Sequence, residues 1–388
     1  MIPLKYSKKR NSESFQKKID KGIKLFIMHL FMKKLLFIII IFFFVLSCYA
    51  EDETFVSTLE KIEDTLRITI AAVGDIMMGS DFPSPILPPS SGEHLFSDVK
   101  KHLKAEIVFC NLEGPLVHGG TTCKNIKSGR SYAFRTPPKY VKNLEDAGFN
   151  CVSLANNHIM DFGRRGITST IKTLDSLNIK HSGPVGDIAR FTIKGLKVGL
   201  VAFSTYNSTY NILNENVAFS TISSLSDSFD ILIVSMHAGS EGTGALHTKD
   251  AFEYLYGEPR GNVVKFAHKA IENGADLILG HGPHVPRGLE IYRDRLIAYS
   301  LGNFCAYGRF SIKGATGKSL ILKVKLKSDG SFDEGKIVSV IIKKPGLPYI
   351  DPENHTLQLI RELSTKDFKS NAPEIDEEGT ISNSQFPN

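Results

Sequence analysis

Five short stretches of this 388-residue chain carry the side chains that hold divalent metals and move protons. They contribute Asp75; Asn111 with Glu113; Asn157 and His158 with Asp161; His237; and His281 with His284. Imidazole nitrogen together with carboxylate and amide oxygen is the donor set of borderline divalent ions such as zinc, manganese or iron. A thiolate site would need paired cysteines, and Cys110, Cys123, Cys151 and Cys305 contain no CxxC spacing. A lone histidine or aspartate is usually a satisfied structural group. Five such groups, each in the same position relative to its element, ask for a common explanation.

That position is the C-terminal end of a strand. The apolar run 68–73 closes on Gly74-Asp75, and 107–110 closes on Asn111-Leu112-Glu113-Gly114. Residues 152–155 run into Asn156-Asn157-His158, 230–235 lead to His237, and 275–280 lead to His281. Helical patterns occupy 137–148, 166–177 and 263–273, the first opening on Pro137 and ending at Gly148. A hairpin is expected over 190–204 and a closing antiparallel pair at 319–327 and 335–343. Buried strands alternating with helices predict an α/β fold, and such folds place their sites just beyond the carboxyl ends of strands.

Composition bounds the rest. The chain is 42% hydrophobic, ample for a sizeable core. Its formal charge is +6, yet residues 1–34 hold ten Lys/Arg against Glu13 and Asp20, so everything from Cys48 onward carries about −2. That arithmetic removes any global case for nucleic-acid binding. Lys33-Lys34 precede an uninterrupted apolar run, 35–46, the pattern of a secretory signal, and the run is shorter than the ~20 residues that span a bilayer. Val45-Leu46-Ser47-Cys48 resembles a lipobox, in which the cysteine is acylated; two or more acyl chains give stable anchoring.

The expected organisation is therefore a leader over 1–47, a tether over 48–66, a domain over 67–345 and a C-terminal segment over 346–388, largely a disordered tail. The expected location is extracytoplasmic, at the membrane, held by a lipid on Cys48 or by a retained signal anchor. Cys110 and Cys151, each beside a strand, are expected to be buried. Tyr132 and Phe134 are expected in the core. Arg130, Arg135, Arg164 and Arg165 flank the motif loops and are candidates to meet an anionic substrate.

Six ordered blocks carry a resemblance: Gly74-Asp75-Ile76-Met77-Met78-Gly79, Asn111 to Leu116, Ser153 to His158 with Asp161-Phe162-Gly163, His237 to Glu241, Gly280 to Val285, and Tyr299 to Phe304. Over roughly Ile68 to Phe304 the chain resembles the CapA/PgsA family of poly-γ-glutamate capsule biosynthesis. That family is similar in turn to the calcineurin-like metallophosphoesterases.

The resemblance implies a sandwich of two mixed β-sheets flanked by helices, with one or two divalent ions (Mn, Zn, Fe or Mg) per chain. It implies metal ligands at Asp75, Glu113, Asn157, His237, His281 and His284, and a catalytic pair, His158 with Asp161, of which His158 serves the leaving group. It assigns substrate contacts to Asn111, Asn156, Glu241 and Asn303. The implied partners are an anionic polymer or phosphoester substrate and capsule synthase or export proteins.

The chain departs from the phosphoesterase pattern at Met77, where a histidine is expected, and at Asn111 with Glu113, where a bridging aspartate is expected. It departs from its own family at Gly282 and Ala238. Hydrolysis of a phosphoester, hydrolysis of an amide in an anionic polymer, and a non-catalytic role in export all remain open at this stage.

Overall fold

The computed structural model describes residues 66–128 and 131–383, with Gly22, Lys24, Leu25, Met28, His29 and 31–33 of a separate N-terminal unit, Met1–Thr65. The described residues of that unit are helical. The apolar run, Cys48, the tether up to residue 65 and Arg130 lie outside the described residues. Among the described residues no helix is long and apolar enough to cross a membrane.

Two mixed sheets make the body. The first holds β1 (Arg67–Met77), β2 (Ile107–Leu112), β3 (Cys151–Ser153) and β4 (Lys180–Ser182), parallel and in that spatial order. The second holds β5 (Ala189–Ile193), β6 (Leu196–Ser204), β7 (Tyr210–Asn211), β8 (Ile231–His237), β11 (Leu277–His281), β12 (Leu289–Tyr292) and β13 (Arg295–Ala298), in which β6, β8, β11 and β13 are parallel. A small hairpin, β9 (Glu253–Leu255) with β10 (Glu258–Gly261), stands apart. The chain then returns to the first sheet with β14 (Asn303–Ala306), which runs parallel to β1, and with the antiparallel pair β15 (Lys318–Lys327) and β16 (Phe332–Lys343).

Side-chain alternation along the strands explains the layering. Ile68, Ile70 and Ala72 of β1, with Ile107 and Phe109, share one buried cluster with Val198, Leu200, Ile231, Ile233, Leu277 and Leu279 of the second sheet. The intervening residues point the other way. Ala71, Val73, Val108, Cys110 and Val152 pack with Val141, Leu144 and Leu174 of helices Val141–Ala147 and Gly163–Asp175. Leu232, Val234 and Ile278 pack with Ile222, Val263, Phe266 and Ala267 of helices Glu215–Ser226 and Val263–Glu272. The result is helix, sheet, sheet, helix. Each fully buried Ile or Leu in the central seam contributes roughly 1.5–3 kcal/mol. Cys110 and Cys151 are buried free thiols, as expected.

The C-terminal segment corrects the expectation of a disordered tail. β17 (Leu347–Ile350) pairs with β16, and helix His355–Phe368 buries Leu357, Ile360 and Leu363, three positions apart on one helical face. β18 (Glu374–Ile375) and β19 (Thr380–Ser382) then add to the sheet, with Ile381 opposite Gly335. The body thus continues past 345 to 383. Polar composition misleads here because few apolar residues are needed to cover an existing sheet edge. Tyr132, expected in the core, is exposed, whereas Phe134 is buried.

Candidate metal centre

Strand register brings the site together. His237 and His281 face each other in register on β8 and β11, each following inward-facing residues at alternate positions, Ile231 and Ile233 or Leu277 and Leu279. In the first sheet the β1–β2 register shifts between Ala72 and Asp75, after which Asp75 aligns with Asn111 of β2 and with Asn303 of β14. A bulge of this kind re-aims a side chain. Gly74 permits it, because a Cβ there would lie 1.9 Å from the Gly302 carbonyl oxygen, which accepts the Asp75 N–H at 2.9 Å.

Asp75, Glu113 and His237 each place one donor atom within 4.8 Å of the others, and all three are buried. His281 Nδ1 lies 3.3 Å from Asp75 Oδ1, and His284 Nδ1 lies 3.0 Å from Asp75 Oδ2. His284 holds a left-handed backbone at φ 58°, which costs about 1–3 kcal/mol in a non-glycine residue and is typical of functional positions. Its Nδ1 also lies 3.0 Å from Asn303 Oδ1, and Asn303 is itself held by donating to Thr316 O at 3.1 Å. With Nδ1 hydrogen-bonded to Asn303 and Asp75 close beside it, Nε2 is left toward Glu113 at 3.7 Å and Glu241 at 3.9 Å.

A divalent cation fits this set. Both Glu113 oxygens, His237 Nε2, His281 Nε2 and Asn157 Oδ1 are buried and have no hydrogen-bond partner among the described residues. A buried polar atom left unpaired costs about 1–3 kcal/mol, so a cluster of them, all lone-pair donors of oxygen or imidazole nitrogen, matches a cation. The protonation balance points the same way. Burial pushes the Glu113 carboxyl well up, and burial followed by the Arg260 charge pushes His237 well down. Burial opposes charge on His284 too, yet Glu113, Asp75 and Glu241 outweigh it and raise it to about 10. Asp75, despite its burial, is held well below the usual carboxylate range by His281 and His284. In the cation-free site protons thus supply positive charge that an ion would bring.

Met77 is buried, and its sulfur accepts the Gly79 N–H at 3.2 Å, so the thioether serves a turn of the backbone. Asn111 and Asn156, expected to touch substrate, are fully buried behind the donor row. Asn111 Nδ2 donates to Asp75 Oδ1 at 2.8 Å, and Asn156 Nδ2 donates to Asn111 Oδ1 at 3.0 Å and to Leu112 O at 2.9 Å. Asn156 Oδ1 also accepts the His158 N–H at 3.0 Å. Both amides brace the site, a correction the motif itself does not reveal.

His158 is buried, with Nδ1 2.8 Å from Asp161 Oδ2. Asp161 is fixed in turn by the Phe134 N–H at 2.7 Å and by Lys124 Nζ at 2.8 Å. A carboxylate at Nδ1 selects the Nδ1–H tautomer and leaves Nε2 on the other side, 3.9 Å from Glu113 Oε1. Burial pulls the His158 pKa down; Asp161 opposes this and Lys124 adds to it. Asp161 thus positions His158 rather than meeting a ligand itself.

Asn157, His158, Glu241, His284 and Asn303 line one cleft of about 790 Å³. Lys124, Tyr206 and Arg260 line it too and were not singled out from the sequence. Arg260 is buried, pairs with Glu241 at 2.9 Å and donates to Tyr206 Oη at 3.1 Å. Arg135 pairs with Asp81, and Arg165 donates to the His118 carbonyl at 3.0 Å. No motif flags the cleft cations, since Lys124 sits in a loop and Arg260 on the detached hairpin.

Fold and site together define an α/β sandwich protein with a buried histidine–carboxylate centre at its strand ends. The chain belongs to the family described as Bacterial capsule synthesis protein PGA_cap, whose sequence model matches residues 69–307. Among its relatives, the capsule biosynthesis protein CapA of Bacillus anthracis is 27% identical over 266 residues, 63% of this chain and 61% of that protein. The PGA biosynthesis protein CapA of Bacillus subtilis is 26% identical over 283 residues, 68% of this chain and 69% of that protein. The match thus spans about three fifths of the length of the first of these relatives. Among solved structures, a 5'-nucleotidase precursor from Thermus thermophilus aligns at 13% identity and a TM-score of 0.39, over 78% of this chain and 59% of that chain.

Proposed function

We propose that this chain is an extracytoplasmic, membrane-anchored protein of poly-γ-glutamate capsule synthesis or export, carrying a metal-dependent hydrolase site of phosphoesterase type. The observation that carries the reading is the convergence of Asp75, Glu113 and His237, with partnerless buried donor atoms, beside a cleft that His158 lines. Asp75, Glu113, Asn157, His237, His281 and His284 are the residues that would hold one or two divalent ions. Such an ion supplies Lewis acidity toward a phosphoryl or carbonyl oxygen and lowers the pKa of water.

The chain's own groups do the remaining work. Asp161 holds the His158 ring through Nδ1–H, so that Nε2, once the ring has taken up a second proton there, can pass it to a leaving oxygen or nitrogen. Burial lowers the ring's pKa, which makes the imidazolium a stronger acid and a less populated one near neutral pH. Asn303 and Asp75 fix the tautomer of His284. Anchoring is assigned to a lipid on Cys48, and Cys48→Ser is expected to leave the protein unacylated by mass spectrometry and free of the detergent phase. Metal analysis of the purified protein, with hydrolysis assays on γ-linked polyglutamate and on phosphodiesters, tests the reading as a whole.

One observation favours a second reading, a non-catalytic assembly component of a capsule export complex. The Met77 thioether takes the place of a ligand and is engaged by Gly79. A metal-loaded protein that hydrolyses neither substrate class would support that second reading.

A further inference from the structure

Three cationic side chains line the cleft, and their charges are handled differently. Lys124 is paired with the buried Asp161 at 2.8 Å, and Arg260 with Glu241 at 2.9 Å. Arg309 has no carboxylate partner among the described residues. One terminal nitrogen of its guanidinium donates to the Phe82 carbonyl at 3.2 Å and to the Ser84 carbonyl, and its Nε is buried without a hydrogen-bond partner. Two neutral carbonyls orient the fork but do not cancel its charge. Burial alone acts on its acidity, with no carboxylate to offset it. A half-buried, oriented, uncompensated guanidinium in a cleft is a receptor for an anion, and its planar fork matches a carboxylate.

The Arg309 side chain lines the same cleft as His158 and His284, and its backbone runs beside them. Phe310, the next residue, packs its ring 5.0 Å from His284 and 5.2 Å from Phe134, and Phe134 lies 4.2 Å from the His158 ring. Consecutive Cα atoms are about 3.8 Å apart, so Arg309 is held one residue from a side chain wedged against the site. We propose that Arg309 is a specificity-determining anion anchor: it receives a carboxylate that the substrate carries beside the bond under attack. The substrate class is thus an oligo-anionic chain with a free carboxylate on each unit, as in a γ-linked glutamate oligomer. The identity of that substrate rests on the function proposed above; the anchor itself does not.

The test is binding, measured by calorimetry on the metal-loaded full chain, of a γ-linked glutamate oligomer and of the same oligomer with its carboxylates converted to amides. Wild type is expected to prefer the anionic oligomer. Arg309→Gln is expected to weaken that binding about tenfold or more, the scale of a charged hydrogen-bonded contact, while binding of the amide oligomer and the metal content stay as in wild type. Arg309→Lys should restore part of the loss. A merely structural clamp on the Phe82–Ser84 loop would weaken both oligomers alike, and that outcome overturns the anchor, as does equal binding of the anionic oligomer by wild type and Arg309→Gln. If a phosphodiester oligomer binds and loses affinity in Arg309→Gln while the glutamate oligomer never binds, the anion anchor stands and the polyglutamate reading falls. If neither anionic oligomer binds wild type, the anchor is refuted.

Discussion

Asp161 Oδ2 accepts the Nδ1–H of His158 at 2.8 Å, three residues on in the same loop, while its other oxygen meets Lys124 Nζ at 2.8 Å. The carboxylate thereby fixes which imidazole nitrogen carries the permanent proton, and it does so from a position with no solvent exposure. Nε2 is the nitrogen left to exchange protons in the cleft. Neither residue is among the three that converge within 4.8 Å, so the proposed function gives proton handling and metal holding to separate side chains.

That separation predicts the behaviour of His158→Ala. Turnover should fall on the order of 100-fold or more, the usual scale for a general acid, with metal content unchanged. Asp161→Asn should lower turnover on the order of tenfold or more and likewise keep the metal. Elemental analysis beside kinetics reads both. An emptied site in His158→Ala would make the histidine a ligand.

Gly74 tests the route by which β1 delivers Asp75. Gly74→Ala sets a methyl group 1.9 Å from the Gly302 oxygen, a backbone atom that cannot rotate away. Overpacking of this kind destabilises by about 1–3 kcal/mol, and here it also displaces the β1–β14 junction that aligns Asp75 with Asn303. Thermal unfolding should show a lower Tm, and metal content should fall with it. Wild-type values for both would show that β1 and the Gly302 turn are free to part.

Much of this was legible from strand ends. Asp75, His237 and His281 each follow an apolar run, and a strand that buries alternate residues must project its terminal side chain at the end of the same face. What sequence does not encode is which of two neighbouring amides looks outward: Asn156 braces Asn111, whereas Asn157 lines the cleft. Lys124 and Arg260 escaped notice because their roles depend on Asp161 and Glu241, carboxylates distant in sequence. The helix His355–Phe368 was missed because its apolar face is narrow, and the sheet it covers comes from β15 and β16.

His181 gives the fold a pH dependence independent of the site. Its Nδ1 lies 2.7 Å from Asp187 and its Nε2 3.2 Å from Asp175. Burial disfavours its charge, but the two carboxylates outweigh this and raise its pKa above the ordinary histidine value. A folded pKa above the unfolded one stabilises fully below the unfolded value, about 6.5, and the benefit disappears as pH rises through the folded pKa. His181→Gln should therefore cost more stability at about pH 6 than at about pH 9. Denaturant unfolding at the two pH values measures the difference, and an equal cost at both would remove the ion pairs as its source.

Glu113 offers the sharpest test of the metal centre, because both of its oxygens are buried without hydrogen-bond partners among the described residues. Burial pushes its carboxyl well above the usual range, against the pull of the His284 charge, so a proton competes for the place a cation would take. A cation binding there would displace that proton, and the ionised carboxylate would then become a ligand. Glu113→Gln keeps the shape and removes only that possibility. Its cation-free Tm should lie close to wild type. Added Mn²⁺ or Zn²⁺ should raise the wild-type Tm, since a ligand that binds only the native state stabilises it by mass action. The variant should show a much smaller rise and lower metal content, as should His237→Ala. The same metal-induced rise in wild type and Glu113→Gln would take Glu113 out of the ligand set and leave the centre to Asp75 and the histidines.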